Sequence, residues 1–347
     1  MTTPEDAQHE LSLGQLFMVG LPEVELDDST CRLIEEFRIN NFIYFKRNVE
    51  SPKQLKKLSG DLHRACVQNN LGPPLIAIDQ EGGTVARLGP PFTQFPDARV
   101  LAQAENPEYA LSEYARVCSS ELIDIGVNYN LAPVLDVCEA EKEYFMEKRS
   151  LGGDPELVGR LGIHVIREMQ AHGIAACAKH FPGLGAAVVD PHFQLPLVVK
   201  SEAEIHAQDI IPFERAVAAG VASIMTSHTI YQHLDPESPA TLSKKILTGL
   251  LRHDLGYDGV IITDDLEMGA IENEGDLGQA ALQAFAAGAD LLLICHSHEK
   301  VIDGLNKTGR AIAESSELQT RMRESVRRVR TMRDTFAQRR SGRKINP

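Results

Sequence analysis

The sequence predicts a single-domain (β/α)8 barrel, and three observations carry that reading. Eight short apolar runs of β-favouring residues recur along the 347-residue chain. Stretches with the 3.6-residue apolar period of amphipathic helices lie between most of them. No linker rich in Pro, Gly or Ser divides the chain, and no strong internal repeat or low-complexity tract appears. Apolar strands alternating with helices imply a parallel sheet buried on both faces. Eight such units suggest a closed barrel more than an open sheet.

In chain order the runs are LFMV (16–19), FIYF (42–45), LIAI (75–78), LAPVL (131–135), AACA (175–178), ASIM (222–225), VIIT (260–263) and LLLI (291–294). Helical periodicity shows in CRLIEEFRIN, where Leu33, Ile34 and Phe37 share a face. It shows again in KKILTGLLRHDLG, where Ile246, Leu247, Leu250 and Leu251 do so and Gly256 marks the stop. GPPFTQFP (89–96) reads as a Pro-rich loop after the third strand. The barrel is assigned to residues 1–320, and residues 321–347 to a basic C-terminal helix and tail. In that tail Met322, Val326, Val329, Met332 and Phe336 recur at helical spacing, with ten Lys or Arg against two acids. The whole chain carries −14, so the remainder is near −22. A helix docked on an acidic body is the favoured role, and an anionic partner such as nucleic acid is the alternative.

Composition narrows the function. An apolar content of 43% supports a sizeable core. No apolar run reaches the length of a membrane span. The start, MTTPEDAQHE, has no basic segment followed by an apolar one, so no secretory signal is expected. Cys31, Cys66, Cys118, Cys138, Cys177 and Cys295 form no CxxC pair and read as reduced core thiols in a cytoplasmic protein. The negative balance argues against nucleic acid as the main partner. The sequence does not set the oligomeric state, and a monomer is compatible with it.

In such a barrel the reactive face lies at the C-terminal strand ends. Polar groups follow the runs there: Asp79, Gln80 and Glu81; Asp136; Lys179 and His180; Thr226, Ser227 and His228; Asp264 and Asp265; Cys295 and His296. One such Asp is often only a helix cap. Six sites in register point to an active site. No GxSxG elbow and no GxGxxG after a strand is present. Metal ligation by HSH (296–298), His180, His192 and His228 lacks HExxH-type spacing and is set aside, and no cofactor is expected. Glycoside hydrolysis fits a set dominated by carboxylates with His and Arg. It needs a carboxylate at the oxocarbenium-like centre and a proton donor for the leaving oxygen.

Several stretches resemble the glycoside hydrolase family 3 β-N-acetylglucosaminidases, of the NagZ type in peptidoglycan recycling. They are IDQEGGTVARLGPPFTQFP, NLAPVLDV, KRSLGGDPELV, KHFPGLG followed by DPH, SPATLS and GYDGVIITDDLEMGAI, in the family's order over about residues 12–300. The resemblance implies a retaining exo-enzyme that removes terminal N-acetylglucosamine from anhydromuramic-acid fragments. It implies Asp264 as nucleophile, His192 as general acid/base and Asp190 as its partner. It implies substrate contacts at Asp79, Arg87, Arg149, Lys179 and His180. A β-glycoside phosphorylase, a β-glucosidase and a non-catalytic sugar-binding barrel are the rivals.

These roles carry physical expectations. Arg149, Lys179 or Arg87 near Asp264 would favour its charged form. Asp265 is expected to cap or to support its neighbour. An imidazole suits His192, because it titrates in the working range. Pro191 stiffens the loop, and the glycines before it are expected to let it swing, delivering His192 when sugar is bound. The chain departs from the family pattern at Leu184, at Thr84, at DPH for DSH and in the acidic stretch 139–147. The last bears on an anionic aglycone, unless it is a solvated loop remote from the site.

Overall fold

The computed structural model describes residues 12–140, 144–187, 195–272 and 275–337. Eight parallel strands are present: β1 (Phe17–Gly20), β2 (Asn41–Tyr44), β3 (Leu75–Ile78), β4 (Tyr129–Asn130), β5 (Ala175–Phe181), β6 (Ser223–Thr226), β7 (Val260–Ile262) and β8 (Leu292–Ile294). Their order is β7-β6-β5-β4-β3-β2-β1-β8. All the ladders are parallel, with registers such as Phe17↔Leu292 and Asn41↔Leu75. The seam between β7 and β8 is closed by the single bridge Ile262↔Leu291. That bridge is made by Leu291 N donating to Ile261 O and Thr263 N to Leu291 O, both at 3.0 Å, and beyond it Leu266 N donates to Leu293 O at 3.0 Å. Leu293 N donates to a side chain, Thr263 Oγ1, at 2.9 Å. The result is the expected single-domain barrel.

Helices follow each strand: α1 (Asp28–Phe37), α2 (Pro52–Gln68), α3 (Pro107–Ile125), α4 (Pro155–Ala171), α5 (Ile211–Ala218), α6 (Lys245–Asp254), α7 (Leu277–Ala287) and α8 (His298–Glu314), with α9 (Ser316–Ala337) added at the end. Their starts are written in the sequence. Ser51, Asn106 and Asp154 cap α2, α3 and α4, each followed by Pro at the first helical position. Asp27, Asp276 and Ser297 cap α1, α7 and α8. Gly256, at φ 65°, lies just past α6 in the left-handed region that stops a helix.

The fourth strand differs from expectation. Its ladder lies at Tyr129–Asn130 rather than at 131–135. Pro133 has no N–H for a ladder, so the segment beyond makes only scattered bonds, such as Leu135 N to Lys179 O at 2.7 Å. Asn128 and Asn130 are polar but bond to neighbouring backbone. Asn128 Oδ1 accepts from Ile76 N and Asn130 Oδ1 from Gln80 N. That pairing lets amide side chains sit in a buried sheet.

Helix α9 buries Val326, Val329, Met332 and Phe336 against the barrel. Its polar anchor is Asp290, which is fully buried just before β8. Ser325 Oγ donates to it at 2.8 Å, and Ile261 N at 2.9 Å. The guanidinium groups of Arg252, Arg321 and Arg328 surround it. Among the described residues no helix is long and apolar enough to cross a membrane.

Candidate active site

A cavity of about 290 Å3 opens where the strands end. It is lined by Phe45 after β2, Asp79 and Arg87 after β3, Asp264, Asp265 and Glu267 after β7, and Cys295 and His296 after β8. A larger cavity, about 390 Å3, lies beneath α9 near the N-terminal ends of β6 and β7, lined by Asp258, Arg327 and Arg328 among others. The first lies on the face where barrels do chemistry, and it holds the sequence-predicted carboxylates.

The segment after β3 folds back on itself. Gln80–Gly82 pairs antiparallel with Val85–Ala86. Gly83 has φ 54°, and a Cβ there would come within 1.9 Å of Asp97 Oδ1. Asp97 accepts from Thr84 N and Thr84 Oγ1 at 2.8 and 3.1 Å, which gives Thr84 a structural role in this turn. Gln80 Oε1 accepts from Arg87 N and Leu88 N. The hairpin thereby returns Arg87 to Asp79, with Nη2 donating to Oδ2 at 2.9 Å. Arg87 also lies over the Phe45 ring, 5.5 Å from its centroid.

Behind Asp79 lies a buried ion network. Lys179 Nζ is 2.9 Å from Asp79 Oδ1 and 2.6 Å from Glu81 Oε1. Arg149 grips Glu81 with two bonds, Nε at 2.9 Å and Nη2 at 2.7 Å. Burial alone would raise the pKa of Glu81, but the Arg149 and Lys179 cations outweigh it and hold it at about 2. Burial opposes ionisation of Asp79 too, yet Lys179 and Arg87 keep it well below the usual carboxylate range. Of the three cations expected near Asp264, only Arg87 lines its cavity. Lys179 and Arg149 pair with Asp79 and Glu81, and Arg87, though it shares the cavity with Asp264, pairs with Asp79. Glu81 was the unassigned member of this network. Its signal was its place in the same short motif as Asp79.

His180 is buried, and its Nδ1 lies 2.7 Å from Asp136 Oδ2. Asp136 Oδ1 also accepts from His180 N and from Leu184 N, at 3.1 and 2.7 Å. Leu184 is itself buried. The glycines here are packed tightly against neighbouring backbone and side chain. A Cβ at Gly185 would meet Val137 O at 2.0 Å, and one at Gly183 would meet Asp209 Cβ at 2.6 Å. Both are glycines because backbone and side chain approach too closely for anything larger. Asp190 and His192 lie outside the described residues.

At the end of β7, Asp264 is half-buried at the cavity, and its Oδ1 accepts from Asp265 N at 2.8 Å. Asp265, also at the cavity, staples the seam. Its Oδ1 accepts from Glu267 N at 3.1 Å and from Cys295 N at 3.3 Å. Glu267 accepts from His296 N and Ser297 N across the same seam. His228 Nε2 bonds to Asp265 O at 2.9 Å. Burial pushes the Asp265 carboxyl up to about 7, the Glu267 and Asp264 charges adding to it against the bonds it accepts. Of the two HSH histidines, His296 faces the cavity beside Asp265 and Arg47, whereas His298 bonds to Gly20 O and Ser29.

A barrel mouth with a half-buried carboxylate facing an Asp–Arg pair has the chemistry of a glycoside hydrolase. The sequence profile of the glycosyl hydrolase family 3 N terminal domain matches residues 9–332, and the chain belongs to that family, within its β-hexosaminidase group. The β-hexosaminidase of Thioalkalivibrio sulfidiphilus is 37% identical over 306 residues, 85% of each chain. That of Pseudomonas aeruginosa is 35% identical over 265 residues, 76% of this chain and 77% of its own. Among solved structures, a family 3 β-N-acetylglucosaminidase from a Paenibacillus strain superposes with TM-score 0.90 at 38% identity. The match covers 96% of this chain and 63% of that longer one. NagZ from Neisseria gonorrhoeae, in complex with N-trifluoroacetyl-D-glucosamine, gives 0.75 at 27% identity, covering 90% of this chain and 98% of its own.

Proposed function

We propose that this chain is a retaining exo-β-N-acetylglucosaminidase of the cytoplasm. Its substrate is a peptidoglycan fragment with terminal N-acetylglucosamine on 1,6-anhydromuramic acid, with or without peptide. The observation that carries this reading is that Asp264 shares one cavity with the Asp79–Arg87 pair. Asp264 attacks the anomeric carbon and the glycosidic C–O bond breaks, giving a covalent glycosyl-enzyme. His192, oriented by Asp190, gives its proton to the leaving oxygen. In the second step His192 takes a proton from water, which displaces Asp264 and releases the sugar with its configuration retained. Asp79 accepts from sugar hydroxyls and Arg87 donates to them. Lys179 and Arg149 keep Asp79 and Glu81 ionised and aimed. His180, with Nδ1 engaged by Asp136, offers its other ring nitrogen. This chemistry uses two side chains, a partner carboxylate and water, and asks for no cofactor. The family relatives named β-N-acetylglucosaminidase support the amino-sugar choice. Six free cysteines, five of them buried, support a reducing compartment.

The test is turnover of an aryl β-N-acetylglucosaminide beside the matching β-glucoside, with and without phosphate, followed by NMR of the first-formed anomer. Expected are selective, phosphate-independent hydrolysis with β product first, and loss of turnover in Asp264→Ala. Equal glucoside turnover, or sugar 1-phosphate as product, would replace this reading with a glucosidase or a phosphorylase. Binding without turnover in the wild type would make the chain a sugar sensor.

A further inference from the structure

We infer that His228 is a positioning residue for the reaction: from outside the cavity it holds the peptide that aims the Asp264 carboxylate. The inference rests on the role given to Asp264 above. The backbone ladder between β6 and β7 ends at Met225↔Ile262, short of Asp264. Beyond it the His228 side chain takes up the bonding, with Nε2 2.9 Å from Asp265 O. A carbonyl only accepts, so Nε2 carries the proton in either charge state of the ring. From the other flank Leu293 O, on β8, accepts from Leu266 N at 3.0 Å. Those two groups are the two ends of one planar peptide unit, the one that joins Asp265 to Leu266. Both neighbouring strands thus pin it. Asp265 N, in the peptide before it, donates to Asp264 Oδ1 at 2.8 Å. With that plane held, and the Asp265 carboxylate bonded to Glu267 N and Cys295 N, little freedom is left to the N–H that orients the nucleophile.

His228 is itself held in place. It is fully buried, and it is not among the residues that line the cavity with Asp264. Its Nδ1 lies 2.8 Å from Thr241 Oγ1. Thr241 belongs to SPATLS (238–243), a stretch to which the proposed reaction gives no part. That stretch docks on the segment past β6. Ala240 N donates to Thr229 O at 2.9 Å, and Thr241 N to Ser227 O at 3.2 Å. Thr226 Oγ1 backs the Thr241 hydroxyl at 2.7 Å. Ser227 N donates to Phe181 O at 2.9 Å, which ties the same segment to the end of β5. A buried imidazole with both nitrogens engaged and no face on the cavity does not bind sugar. Its use is to fix a group that does react, and a misplacement of about 1 Å at such a group costs up to about a hundredfold.

A histidine that only stabilised the barrel would leave the attack by Asp264 as it was, and that difference is the test. For wild type, His228→Leu, His228→Gln and Thr241→Val, kcat/KM is measured on a β-N-acetylglucosaminide with an acidic aryl leaving group, and Ki for N-acetylglucosamine beside it. The acidic phenol departs without a proton, so kcat/KM reports the attack by Asp264 and not the acid. His228→Leu is expected to lose about ten- to a hundredfold in kcat/KM with Ki unchanged. His228→Gln, whose amide N–H reaches toward the same carbonyl, should recover most of that loss. Thr241→Val should lose a smaller factor in the same pattern. Unchanged kcat/KM in folded His228→Leu, a loss matched by an equal weakening of Ki, or a Gln variant no better than Leu would overturn the inference. Should His228→Leu fail to fold, Thr241→Val decides: lowered kcat/KM at constant Ki supports the inference, and unchanged kcat/KM overturns it. Asp264→Ala is the control. Wild-type turnover there would remove Asp264 as nucleophile, and this inference with it, whereas a dead Asp264→Ala beside unaffected His228 variants would overturn the inference alone.

Discussion

Removing the charge at Glu81 would leave Lys179 and Arg149 with one fewer carboxylate in a site where neither is free to solvate. Breaking a buried pair by deleting one partner costs on the order of 3–5 kcal/mol. Glu81→Gln is expected to lower unfolding stability in urea by about that much, and to lower activity by disturbing Asp79. Asp265 provides the opposite case. Its pKa in the fold, about 7, lies above its ordinary value of 3.8. The native state therefore binds more protons than the unfolded chain between those values, and stability falls as pH rises through that window. In Asp265→Asn this decline should disappear from a plot of Tm against pH. If the slope between about pH 4 and pH 7 is unchanged, burial of Asp265 is not its source. Asp79, Arg87 and Asp264 were legible as site residues because each stands directly past an apolar run or inside a recognisable motif. The partnership of Lys179 with Glu81 was not legible, because it joins strands a hundred residues apart.

Elements were legible where one signal sufficed. Ser-Pro, Asn-Pro and Asp-Pro mark the starts of α2, α3 and α4, and fully buried strands show as unbroken apolar runs. β4 escaped because its amide side chains hide a buried strand behind polar letters. Helix α9 was legible as amphipathic from its apolar spacing, but its polar anchor was not, since Asp290 lies far away in the sequence. Three guanidinium groups converge on that one carboxylate. Asp290→Ala should therefore do more than unpair an acid: it leaves buried cations facing one another. A loss on the order of 3–5 kcal/mol is expected in thermal or urea unfolding. Asp258→Ala, which removes an exposed partner of Arg327 and Arg328, should cost well under 1 kcal/mol.

At the scale of the molecule, alternation of strand and helix fixed the architecture, since eight parallel strands with helices between them have few ways to bury both faces. Where the cylinder would be joined was not readable, because the bonds that join it are not a regular ladder. One bridge, the backbone bond from Leu266 N to Leu293 O, a threonine hydroxyl and the carboxylates of Asp265, Glu267 and Asp290 link β7 to β8, and Asp264 stands at that join. Core ladders open at free energies near that of global unfolding, whereas less regularly bonded regions open at lower cost. In native-state hydrogen exchange, the amides of Leu291, Leu293 and Thr263 should exchange as a group and sooner than those of β2 and β3. Simultaneous exchange throughout the sheet would show the join to be as firm as the rest. If those amides exchange first, the carboxylate proposed to meet the sugar stands on the staved edge of the barrel that breathes before the rest.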